Sequence, residues 1–326
     1  MKKIFLSVSI VLVLCWIAVQ YRPVTIHVRG STPEEDILIQ MPLKDKKRLE
    51  FLFREVCFLN VWAYTLMGSK PISIDQYIKP WDAFLYQIKH PDLKDVLILC
   101  FWPPNLKRIC YLFTPREIKL KLGWETLNKY FSSFHNSRFT LLTEDCRKEN
   151  DIVDFRLIDK MQVIKIVKQH LEDFQPLLQN ELLEPEDLLD NDKLHKFIQK
   201  LDHNGLFGTL LGFGRENAWL YRKYCEPLRD SGAWFRGELN SENWPMISAW
   251  PEEELVNLDQ LNQRTADFQP WQLEDIFYPR FACDPESEET KQLKQTYREE
   301  REKILKYYEG KDIVEATLSL FNQKVE

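Results

Sequence analysis

No C-x-x-C, H-E-x-x-H, G-x-S-x-G, S-x-x-K or Gly-Lys-Ser/Thr element occurs in the 326 residues. The first two absences remove the common zinc spacings, the next two remove familiar serine-nucleophile signatures, and the last removes the Walker phosphate cradle. Histidine is sparse, with six scattered copies (His27, His90, His135, His170, His195 and His203). Asp190-Asn191-Asp192 lacks the Gly and Glu that complete a calcium loop. Neither a metal nor a cofactor is therefore expected. Glycine is scarce at ten residues, and Pro numbers 17, too few for a disordered or collagen-like chain. Positive charge is also in deficit: the net of −6 argues against a general nucleic-acid partner.

What is present describes a globular chain. The composition is 44% hydrophobic and 13% aromatic, enough for a large core without covalent staples. Charge is divided along the chain. Residues 44–130 hold 15 Lys/Arg against 9 Asp/Glu, whereas residues 131–326 hold 25 against 38. Two faces with different neighbours, or two blocks attracting each other across one fold, explain this equally well.

Lys2 and Lys3 precede an apolar run from Ile4 to Val19. Charge followed by an apolar stretch is the pattern of an export signal, and no small-residue cleavage pair follows it. The expectation is an uncleaved signal anchor over 1–20, a transmembrane helix holding the chain to a membrane. Residues 21–44 then read as a juxtamembrane linker and 45–326 as a globular body. The N-terminus would be cytoplasmic and the body periplasmic, on a bacterial inner membrane; secretion is the alternative. Lys44, Lys46, Lys47 and Arg48 would either face anionic lipid or form a solvated helix turn. Of six cysteines beyond the leader, Cys100 and Cys110 flank a Pro-Pro-Asn turn and are the candidate disulfide.

Apolar periodicity predicts helices near 46–66, 83–89, 124–134, 160–174, 186–201, 206–224, 285–308 and 311–321. Strands are expected at 139–142 and 152–158, and a hairpin at 96–113. The fold class expected is α+β, predominantly α-helical with a small β-hairpin or sheet region. A mixed part would cover about 45–158 and a mainly helical part about 159–326. Residues 226–285 form a Trp- and Pro-rich meander.

Four of the ten glycines fall within 205–214. Such density implies a backbone that something approaches closely. Gly208, Gly212 and Gly214, with the polar Arg215, Glu216 and Asn217, are the main candidate binding residues. A dinucleotide fingerprint fails because Asn217 stands where Gly or Ala is needed. The competing reading of Gly208-x-x-x-Gly212 is a helix–helix contact. Gly68 and Lys70, in Gly-Ser-Lys-Pro, form a second candidate, read as an anion-holding turn or simply a helix stop. No catalytic residue is assigned.

Three segments, Ala63–Pro71, Leu210–Trp219 and Pro279–Glu289, resemble an uncharacterised family of hypothetical proteins from chlamydia-like intracellular bacteria. The resemblance implies an exported or membrane-associated protein with no established activity, and it adds no catalytic residue. The leading functional expectation is an envelope binding or interaction module, with a protein as one possible partner. One alternative is a hydrolase or transferase with a cleft lined by His195, His203, Arg215 and Glu216. The other is a surface effector reading a host protein through the aromatic meander at 240–280.

Overall fold

The computed structural model describes residues 18–30, 35–59, 61–78, 116–134, 137–145, 152–201, 204–230, 247–250 and 276–324. The expected hairpin at 96–113, with its Cys100–Cys110 pair, lies outside them. So do the expected helix at 83–89, His203 and most of the aromatic meander.

The fold is mixed α+β and mostly helical, as the periodicity predicts. Strands β1 (Pro23–Val28) and β2 (Ile37–Pro42) form an antiparallel pair. Helix α1 (Leu43–Phe53) continues into a π-helical turn, Arg54–Leu59. Val61, at φ 62°, breaks the run before α2 (Trp62–Met67). Asp45 lies in the first turn of α1, one residue before the expected start at 46, and does not cap the helix. It is buried within the helix and accepts hydrogen bonds from Lys129 and Tyr130. Strand β3 (Ile72–Ile78), helix α3 (Arg116–Phe131) and strands β4 (Phe139–Asp145) and β5 (Ile152–Asp159) follow.

These strands form an antiparallel sheet in the order β3-β5-β4. Side chains alternate across a sheet, so each strand serves both faces. Val153, Phe155 and Leu157 of β5 enter one core, whereas Ile158 enters a second. The sheet is thus the wall between two apolar clusters. The second cluster gathers α4 (Lys160–Gln169), α5 (Leu171–Asn180), α6 (Asn191–Gln199) and α7 (Asn204–Leu210). The single helix expected at 160–174 is broken at His170, and Pro176 falls inside α5.

The first cluster gathers β1, β2, α1, α2 and α3 with two later helices, α9 (Glu288–Tyr308) and α10 (Ile313–Phe321). Helix α8 (Arg215–Asp230) lies between α7 and a short pair, β6 (Ile247–Ser248) and β7 (Ala282–Cys283). Phe321 at the end of α10 is fully buried against Phe53, Phe131, Phe134 and Phe139. This aromatic knot closes α10 onto elements from the first half of the chain.

Among the described residues, no helix is long and apolar enough to cross a membrane. This corrects the transmembrane signal-anchor reading, together with the membrane contact and inner-membrane address drawn from it. Residues 1–17 lie outside the description. From residue 18 onward the chain behaves as part of the body. Residues 18–21 make one helical turn, and the Lys44 ammonium sits 3.7 Å from the Tyr21 ring. The Leu43 amide donates to the Arg22 carbonyl at 2.9 Å. The expected linker at 21–44 instead carries β1 and β2, which bury Ile26, Val28, Ile39 and Met41.

Candidate functional site

The glycine-rich stretch is two helices and a turn, not one continuous helix. Gly208 packs α7 onto α8, because a Cβ there would lie 2.9 Å from that of Ala218. The turn needs Gly212 and Gly214, at φ +79° and +84°. Glycine adopts that conformation without the Cβ conflict other residues meet. The turn carries the chain from one core to the other: Leu211 packs on the second cluster and Phe213 on the first.

The two glycine-containing candidates, far apart in sequence, converge there against α9. Lys70 is 3% exposed, and its ammonium donates to the Leu211 carbonyl. The Phe213 ring centroid lies 5.3 Å away. Burial pulls Lys70 down to about 7. The Tyr297 hydroxyl of α9 donates to the Gly212 carbonyl at 2.6 Å. A Cβ on Gly212 would meet that hydroxyl oxygen at 2.6 Å and Lys70 Cγ at 3.3 Å. Gly68 leaves room for the Glu300 carboxylate, whose Oε1 accepts from the Ser69 amide at 2.7 Å. Burial holds Glu300 above the usual carboxylate range, and its Oε2 has no hydrogen-bond partner.

The polar end of the turn is also internally matched. Glu289 caps α8, accepting from the Arg215 amide at 2.8 Å and the Asn217 amide at 3.3 Å. The Arg215 guanidinium forks onto Asp173, with Nη2 2.9 Å from Oδ1 and Nε on Oδ2. That pairing holds Asp173 low. Glu216 accepts from the Ser287 hydroxyl at 2.7 Å. Asn217, 1% exposed, donates to the Phe213 carbonyl at 3.1 Å and accepts from the Asp284 amide at 3.1 Å.

The arrangement is a clasp that joins two cores, and apart from Glu300 Oε2 its polar side chains are taken up by groups within it. His195 does not join it: the ring lies at the surface, 3.0 Å from Gln199 on its own helix. Sequence reasoning missed the partners Asp173, Glu289, Tyr297 and Glu300. The available signal was their spacing along α9, where eight and then three residues keep Glu289, Tyr297 and Glu300 near one helix face.

Open concavities lie elsewhere, at the corner where α1 meets the α9–α10 turn. A trough of about 380 Å³ has Phe58 and Tyr308 in its floor and Lys46, Lys47, Arg54 and Lys311 around it. A second, of about 510 Å³, is lined by His27, Arg29, Tyr307, Lys311 and Glu315 among others. Gly310, Lys311 and Asp312 belong to both. Together the troughs carry five Lys/Arg against three carboxylates, Glu50, Asp312 and Glu315. Glu50 is paired with Arg54 and Asp312 with Lys46. Among the described residues, no cluster of side chains suits a metal ion.

No family model, curated protein or solved structure matches the chain. The likeness noted for 63–71, 210–219 and 279–289 stands on those residues alone. In the fold, all three segments meet at the clasp.

Proposed function

We propose that this protein is a binding module whose working surface is the double trough at the α1/α9–α10 corner, with the glycine-rich clasp as its structural support. One observation carries the reading. The clasp's charged groups face internal partners, whereas the troughs are open and together hold five cations against three carboxylates, the excess lying in the smaller trough, in a chain of net charge −6. Local charge opposite to the global charge selects anionic ligands. The volumes match those of small-molecule sites, typically about 300–1,000 Å³.

The hydrolase or transferase reading requires Arg215, Glu216, His195 and His203 around a common cavity. Arg215 is instead forked onto Asp173, and His195 faces its own helix. The test is thermal melting of the full chain with small anionic, neutral and cationic compounds. Anions are expected to raise the melting temperature, and added salt to reduce the effect. Stabilisation by neutral or cationic compounds alone would overturn the reading. Ester or phosphoester turnover abolished by Arg215→Ala would replace it with the hydrolase.

A further inference from the structure

We infer that the larger trough binds a small phosphate monoester, held by Arg29 and Lys311 over Tyr307; this rests on the binding-module reading above. Lys311 Nζ lies 3.7 Å from the Tyr307 centroid, and Arg29 lines the same trough. The Tyr307 hydroxyl is tied to the Ala316 carbonyl at 3.0 Å, so the ring is a fixed floor. The backbone of Arg29 is pinned to α10 through its amide and the Ser319 hydroxyl at 2.9 Å.

The trough's carboxylates are already engaged. Glu315 Oε1 accepts from the His27 amide at 3.0 Å. Asp312 accepts from the Val314 and Glu315 amides and pairs with Lys46 at 2.6 Å. The His27 ring faces Asp36 at 3.2 Å. Neither Arg29 nor Lys311 has an ion-pair partner among the described residues. An anion in the trough would gain from both charges. A guanidinium fork matches phosphate oxygens, and an ammonium adds a point charge. The Tyr307 ring gives the esterified group an apolar surface. Space is available beside Gly310, where an added Cβ would meet nothing within 4 Å.

The test is calorimetric titration of the full chain with phenyl phosphate, inorganic phosphate and a phosphoserine peptide. Phenyl phosphate should bind more tightly than inorganic phosphate. Arg29→Gln and Lys311→Gln should each weaken it about tenfold or more, the loss of one charge-assisted contact. Lys200→Gln, outside both troughs at the α6 end, should change it less than about twofold, as should the charge-preserving Lys311→Arg. If anions bind but only Lys47→Gln, in the smaller trough, weakens them, the binding-module reading survives and this assignment fails. If no anion binds, both fail. Tighter binding of the peptide than of phenyl phosphate would assign the trough to a protein partner and overturn the small-molecule assignment.

Discussion

Single residues at the clasp carry consequences that composition does not suggest. Gly212 and Gly310 share a left-handed backbone, at φ +79° and +67°, but differ in surroundings. Gly310→Ala meets only the conformational penalty, about 1 kcal/mol. Gly212→Ala adds a collision with Tyr297 and Lys70 and should cost roughly 2–4 kcal/mol. Urea denaturation of the two variants checks the order. Lys70 gives a pH signature. Its buried ammonium loses its proton near 7, whereas an unfolded lysine keeps it to about 10.4. The unfolded chain therefore holds more protons between those values, and stability from this group rises with pH across that window. Relative to Lys70→Met, the wild-type protein should gain at least about 1 kcal/mol between pH 7 and 9.5, within the ~1.4 kcal/mol per pH unit that one proton permits. A flat difference would show that Lys70 remains charged or solvated. The glycine density around 205–214 was legible as a demand for close approach. Its object, Tyr297 some 85 positions away, was not, because periodicity holds no information about which distant element fills a gap.

At the scale of elements, helix ends do much of the positioning. Helix α8 begins on a borrowed cap: Glu289 comes from α9, not from the residue before Arg215. Glu289→Ala leaves two amides without acceptors and should destabilise by about 1–2 kcal/mol. Glu289→Gln keeps an oxygen in place and should cost less, and burial already holds this carboxyl above its usual range. Equal losses in thermal melting would contradict a capping role. Periodic stretches such as 313–321 and 152–159 were readable because one face of each is continuously apolar. Breaks were not: the Gly212–Gly214 turn, His170 and Val61 each interrupt a run whose apolar pattern continues past them.

For the whole molecule, the sheet wall and the aromatic knot are decisive. Strand β5 feeds both cores by simple alternation, and Phe321 ties α10 to α1, α3 and β4. Phe321→Ala should cost about 3–5 kcal/mol and loosen both ends of the chain together, detected as faster amide exchange in β1 as well as α10. Exchange confined to α10 would show that the ends fold independently. The α+β class was legible; the role of the leader was not, because an apolar run at a chain's start reads alike for several fates. The charge imbalance along the chain left two readings open, and only the fold brings Arg29 and Lys311, 282 positions apart, into one trough. The most direct test is amide chemical-shift mapping with phenyl phosphate. Shifts confined to residues around 27–30 and 307–316 are the expected result. Shifts centred on 208–217, with the corner unchanged, would return binding to the glycine-rich turn and contradict the assignment of roles made for the two regions.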